Sequence, residues 1–253
     1  MINFFRKIRQ ELFTKNKFTK YLFYALGEII LVVIGILIAL AINNKNEQRL
    51  IKNTEQTYLF GLKEEFEISK MKLKELIAVN ERNYTGTKKI LEYTSATAMP
   101  PSEEVFSKLL YNSFSADIAF NPNNSLLQEI INSGNLKNLS DPKLRIQLTN
   151  WIATMEDISR QERELAIQRE KILDMLRTNE NNLGTIFKHA GVYDEIGLPK
   201  TENTGGNLNL LQSAEFENNI LMFILTSYAT EKAHYLPLMQ DLDKILNLIE
   251  TEN

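Results

Sequence analysis

The sequence predicts an all-α protein: one N-terminal transmembrane helix followed by an elongated antiparallel helical bundle with coiled-coil-like seams. Three observations carry that prediction. A run without polar side chains, IILVVIGILIALAI, fills 29–42. Apolar residues recur at steps of three and four over most of the remaining chain. No alternating strand pattern persists for more than about five residues.

The apolar run alone is fourteen residues, about 21 Å of helix against a hydrocarbon core of about 30 Å. Extended back to Tyr21 it covers 22 residues, about 33 Å, and that length spans. Tyr21 and Tyr24 then lie at one interface, where amphipathic rings are favoured. Asn43 and Asn44 return the chain to water.

Charge sets the expected orientation. Residues 1–42 carry six of the 29 basic residues and two of the 32 acidic ones, so the body holds 23 basic and 30 acidic residues, a formal −7. The positive-inside rule puts the N-terminus in the cytoplasm. The expected division is 1–20 as a basic amphipathic cytoplasmic segment, 21–42 as the span and 43–253 as a periplasmic helical domain at the inner membrane. Phe4, Phe5, Ile8, Leu12 and Phe13 give the first segment an apolar stripe suited to the lipid interface. An acidic body argues against a nucleic-acid surface, which needs clustered Lys and Arg. The rival reading is a cleavable signal peptide, with Ala39-Leu40-Ala41 as a small-x-small cleavage pattern.

Within the span, Glu28 lies about 10 Å from its start. An ionisable side chain there either carries function or fixes helix depth. Gly27, Leu31, Gly35 and Ala39 share a face at spacings of four, and Gly35-x-x-x-Ala39 permits close helix approach.

Downstream, Leu59, Leu62, Phe66, Ser69, Leu73, Leu76, Asn80, Tyr84, Thr87 and Leu91 form one seam of a helix over 46–94. Asn43-Asn44 is a potential joint before it. Ser102 starts a short helix after the ATAMPP loop. Ser125 with Gln128 reads as a capping box, and Gly134 ends that helix. Ser140-Asp141-Pro142 opens a long helix whose seam runs from Leu144 through Trp151, Glu162, Arg169 and Leu176 to Leu183. Glu162 and Arg169 are polar where a buried seam is apolar. Residues 191–212 read as a connector. Phe216, Ile220, Phe223, Ser227, Thr230 and His234 open the last helix, which Pro237 should break or kink.

The stretch from Tyr24 through Gly27-Glu28-Ile29-Ile30-Leu31-Val32-Val33-Ile34-Gly35-Ile36-Leu37-Ile38-Ala39-Leu40, closing with Ile42-Asn43-Asn44 and Asn46-Glu47, resembles a domain-of-unknown-function family of small single-pass membrane proteins from the Bacteroides–Flavobacterium group. Phe4-Phe5-Arg6-Lys7-Ile8-Arg9 fits it. So do Asn124-Ser125-Leu126, Ser133-Gly134-Asn135-Leu136 and Leu139-Ser140-Asp141. Ala41 and Lys45 stand where that family's Gln and Trp are expected. The resemblance implies a membrane protein of unassigned activity and supplies no catalytic residues.

No cysteine is present, which removes disulfides, Cys-ligated metals and thiol catalysis. There is no Walker A loop, no Rossmann glycine pattern and no Gly-x-Ser-x-Gly elbow. Glu231-x-x-His234 is a single copy of a motif that di-iron bundles use twice. No cofactor is expected. Trp151, Tyr84, Tyr93 and Tyr111 read as core or bundle-surface aromatics. Asn124, Ser125, Ser133, Gly134 and Asn135 mark the expected partner surface. The functional expectation is a non-catalytic interaction or scaffolding module that contacts lipid and either a protein partner or its own copies. A sensor relaying a helix shift through the span is the second reading. A metal enzyme around Glu231 and His234 is the third.

Overall fold

The computed structural model describes residues 18–95, 97–199 and 205–252. The expected amphipathic segment over 1–17 lies outside them. Among the described residues every regular element is helical. The chain divides into two compact units, Met1–Gln56 and Thr57–Asn253.

One helix, α1 (Phe18–Glu92), supplies the described part of the first unit and the opening element of the second. It continues through Asn43 and Asn44 without interruption and ends two residues short of the expected boundary. In the first unit it is long and apolar enough to cross a membrane, and none of its most apolar stretch is buried by protein. Ile, Val and Leu there are exposed on every side. Several are β-branched and favour strands in water. An apolar surrounding reverses that preference, because a helix satisfies its backbone groups internally.

The second unit continues from α1 with α2 (Glu103–Phe114), α3 (Ser125–Asn132), α4 (Pro142–Leu176), α5 (Leu183–Ala190), α6 (Val192–Ile196), α7 (Ala214–Thr230) and α8 (Leu236–Glu252). Lys63 pairs with Glu250 at 2.9 Å and Lys70 with Asp243, so α1 and α8 run antiparallel. The predicted α1 seam faces inward: eight of its ten residues are buried, and Leu76 and Leu91 are half-buried. Edge-to-face rings knit the layers, with Phe66 on Trp151 at 5.2 Å, Phe114 on Phe223 at 5.1 Å and Phe106 on Phe216 at 6.3 Å. Trp151 and Tyr84 are buried, whereas Tyr93 and Tyr111 are half-buried.

Local signals set several boundaries as expected. Ser102 caps α2 through the Val105 N–H, and Asp141 caps α4 through the Lys143 N–H with Pro142 next to it. Gly134, at φ 72°, closes the turn after α3 in the left-handed region.

Four expectations need correction. The helix at Leu144 stops at Leu176, short of Leu183, because the Asn181 and Thr178 side chains capture the Met175 carbonyl at 2.9 and 3.1 Å. Asn182 then caps the new helix α5. The 191–212 connector contains α6 and a 3₁₀ turn over Leu208–Gln212. Ser125 is the first residue of α3 and forms no capping box. Asn124 holds the cap position without a side-chain bond, and the cap comes from α1, as described below.

The fourth concerns Pro237. The last helix is not broken there, and its ladder widens into a π-turn over Glu231–Tyr235 just before the proline. Proline has no N–H for the Ala233 carbonyl and its ring crowds that oxygen. The Leu236 N–H reaches back five residues to the Glu231 carbonyl instead. The extra residue shifts the buried seam by one position. Thr230 and Glu231 are both buried, then Tyr235, Leu238 and Leu242, while His234 is left half-exposed.

The α1 seam should dominate stability. Phe66→Ala removes a ring only 1% exposed and should cost about 3–5 kcal/mol, read as a lowered urea midpoint for the detergent-solubilised chain. A loss below about 1 kcal/mol would contradict this packing.

Candidate functional site

Three sets of residues have functional potential: the apolar span, the 121–139 segment, and a polar layer inside the bundle. In the span, Glu28 is exposed along with its apolar neighbours. A Cβ added to Gly27 or Gly35 would meet nothing within 4 Å. Gly35 and Ala39 therefore present open backbone on one face, with no protein against Gly35 in this chain.

The 121–139 segment is strapped onto α1 by side chains four and three residues apart. Glu65 accepts the Leu126 N–H at 2.7 Å and the Leu127 N–H at 3.2 Å, so a carboxylate from α1 caps α3. Ser69 meets both the N–H and the C=O of Asn123, at 2.9 and 3.2 Å. Lys72 donates to the Asn121 carbonyl and to Asn123 Oδ1, at 3.0 and 2.6 Å. Asn135 donates to the Tyr58 hydroxyl at 3.0 Å and accepts from Asn138. Gly61 lets Leu126 approach closely, since a Cβ there would come within 2.4 Å of Leu126 Cδ2 and force that methyl to shift. Ser125, Ser133 and Gly134 are exposed, and Asn124 and Asn135 are half-buried. An open cleft of about 510 Å³ runs beside this segment, bordered by Asn124, Gln128, Met155, Glu156, Arg160 and Arg163.

The polar layer lies between α1, α2, α7 and the π-turn. Asn80, Asn83, Thr87, Ser113, Ser227, Thr230 and Glu231 are all buried. Asn80 Nδ2 donates to the Ser227 carbonyl at 3.0 Å, and Gln161 Nε2 donates to Thr230 Oγ1 at 2.9 Å. Ser113 faces Gly86, where a Cβ would sit 2.4 Å from its Oγ. Asn80 Oδ1, both polar atoms of the Asn83 amide, the Ser113 and Ser227 hydroxyls and Glu231 Oε2 lack protein partners. Buried polar atoms without partners destabilise a fold relative to apolar replacements. Burial, reinforced by the Glu231 carboxylate, pushes the Tyr84 phenol up to about 12. No local pattern announces this layer beyond the polar members of the two seams.

Glu162, polar on its seam, is buried beside this layer. Its Oε1 accepts the Phe120 N–H at 2.8 Å and the Tyr235 hydroxyl at 2.7 Å. Burial raises its proton affinity, and these two bonds oppose the rise. Arg169 donates from Nε to the Phe114 carbonyl at 2.8 Å. Both polar seam residues thus fasten the end of α2 and the loop after it to α4. Glu231 and His234 do not converge. Glu231 points inward and pairs with Lys232 at 2.7 Å, whereas His234 faces Asp157 at 3.6 Å. Among the described residues no three His, Cys, Asp or Glu side chains are arranged to hold a metal ion.

Comparison with protein families matches residues 28–173 to the family described as a family of unknown function, DUF6090. That is more than half of the chain. The chain belongs to DUF6090. No curated protein and no solved structure matches it. The DUF6090 match begins at Glu28, immediately before the apolar run, takes in the whole strap and Glu162, and ends within α4. Helix α7, the π-turn and α8 lie beyond it, so the polar layer joins residues on both sides of the matched boundary.

Glu162 generates a pH prediction. A carboxyl whose folded-state pKa is raised binds protons more tightly than in the unfolded chain, so stability falls as pH climbs above its ordinary value of 4.5 and levels off past the raised one. Glu162→Gln should abolish that fall, so the difference in unfolding free energy between variant and wild type grows across this window. A difference independent of pH would show that Glu162 titrates normally.

Proposed function

We propose that this DUF6090 protein is a membrane-tethered helical module without catalytic activity of its own, which engages a protein component of the cell envelope. Its N-terminus lies in the cytoplasm and the body from residue 43 onward lies on the periplasmic side of the inner membrane. The supporting observation is the contrast along α1. Residues 29–42 expose apolar side chains on every face, whereas from Leu59 onward the same helix buries one face and solvates the other. Water penalises the first arrangement and lipid rewards it. The basic 1–20 segment against the acidic body supports the orientation.

Alkaline carbonate extraction of cell membranes should leave the chain in the pellet, and protease added to spheroplasts should digest the body. Release into the supernatant would contradict the tether. Protection from external protease would reverse the orientation.

The polar layer favours a second reading, a sensor that passes a helix shift towards the span. Buried polar atoms without partners and a π-turn weaken one level of the bundle, as expected of an element with two alternative registers. Hydrogen exchange should find 80–87 and 231–235 opening more readily than the flanking apolar turns, with Asn83→Leu suppressing the difference. Equal protection throughout in the wild type would remove the basis for this reading.

A further inference from the structure

One carboxylate oxygen holds two segments of the bundle at once. Glu162, on α4, is only 8% exposed. Its Oε1 accepts the Phe120 N–H at 2.8 Å, from a residue 42 positions away, and the Tyr235 hydroxyl at 2.7 Å, from one 73 positions away. Both bonds are charge-assisted while the carboxyl is ionised, which places them among the stronger kind. A buried anion that loses one donor is left under-satisfied, and its side chain is then freer to turn away from the other.

The two donors belong to the two segments with functional potential outside the span. Phe120 leads directly into the strap. Its ring packs edge-to-face on Trp151 with centroids 6.4 Å apart. The next residues are held by α1, Asn121 through Lys72 and Asn123 through Ser69. Tyr235 closes the π-turn. Neighbouring residues of α4 grip the rest of that turn, since Gln161 donates to Thr230 Oγ1 at 2.9 Å and Asp157 faces His234 at 3.6 Å. Glu231 opens the π-turn and is buried in the polar layer. Contacts therefore lead from Ser69 through the strap, Glu162 and Tyr235 to that layer. A row of contacts does not by itself couple two segments. A shared acceptor does, because both donors set its position.

We propose that Glu162 is a positioning residue that couples the strap to the π-turn, so that loosening either segment loosens the other through the shared oxygen. The inference rests on the reading of the polar layer as a level with two registers. It adds the route by which anything seated on the strap at Asn124, Ser125 or Asn135 biases that level. Coupling between two sites is reciprocal, so a perturbation at either end registers at the other. A carboxylate that only satisfied two neighbours would transmit nothing. Removing one donor would then disturb that donor's own segment, or the whole fold evenly.

Hydrogen exchange of the full detergent-solubilised chain, followed by mass spectrometry, reads both segments, with 59–73 on α1 as the reference for global opening. Tyr235→Phe keeps the buried ring and removes only the hydroxyl. It should speed exchange at 118–123 about three- to tenfold, the factor expected for one net hydrogen bond, and leave 59–73 unchanged. Ser69→Ala, which releases Asn123, should speed exchange at 231–236 about two- to threefold. Glu162→Met should speed both segments and abolish the effect of Ser69→Ala on 231–236. Glu162→Gln, whose amide oxygen accepts both donors, should keep most of the protection. Exchange at 118–123 that Tyr235→Phe leaves unaltered, or alters only in step with 59–73, overturns the proposal. So does an undiminished effect of Ser69→Ala on 231–236 in the Glu162→Met chain, which would route the coupling elsewhere. Failure of the two-register reading reads out separately, as equal protection of the polar layer and its flanking turns in the wild type.

Discussion

The second unit depends on the inward face of α1 between Leu59 and Ile90. Each other major helix meets that face or a neighbour that does. Apolar burial supplies the main driving force, while Glu65, Ser69 and Lys72 at adjoining turns convert it into a specific arrangement. A short helix such as α3 has little stability of its own. It persists because Glu65 satisfies two of its free N–H groups and Gly61 leaves room for Leu126. The 121–139 segment is therefore as much a clasp on α1 as an exposed surface, and a partner seated on it would find a shape already set.

Much of this was legible in the residues. The seams from Leu59 to Leu91 and from Leu144 to Leu176, and the terminal signals at Ser102, Asp141 and Gly134, follow local rules that involve neighbours within one or two turns. What the residues did not disclose depends on distant partners. Glu65 sits 61 positions from the N–H it caps. Glu103 grips Asn207, whose N–H lies 3.0 Å from both its carboxylate oxygens, across 104 positions. No short-range pattern distinguishes such a glutamate from a solvated one. The π-turn is an intermediate case. Pro237 announced a disturbance, but continuation of the helix with a one-residue shift of its buried face, which brings the Tyr235 hydroxyl to Glu162 at 2.7 Å, has no local signature.

That shift also governs which chemistry the chain can offer. A regular helix would have put His234 on the seam beside the polar layer. The widened turn places Glu231 and Tyr235 inside and turns His234 towards Asp157. The acidic and aromatic groups so buried serve the bundle's interior. The family match covers residues 28–42 of the apolar segment and the clasp but stops before α7.

The central claim is that residues 21–42 stay in lipid as an uncut helix. The intact mass of the protein from washed membranes tests it most directly. The account predicts a membrane-bound species near the full 29.2 kDa. A soluble species beginning at Ile42, cut after Ala39-Leu40-Ala41, would contradict it.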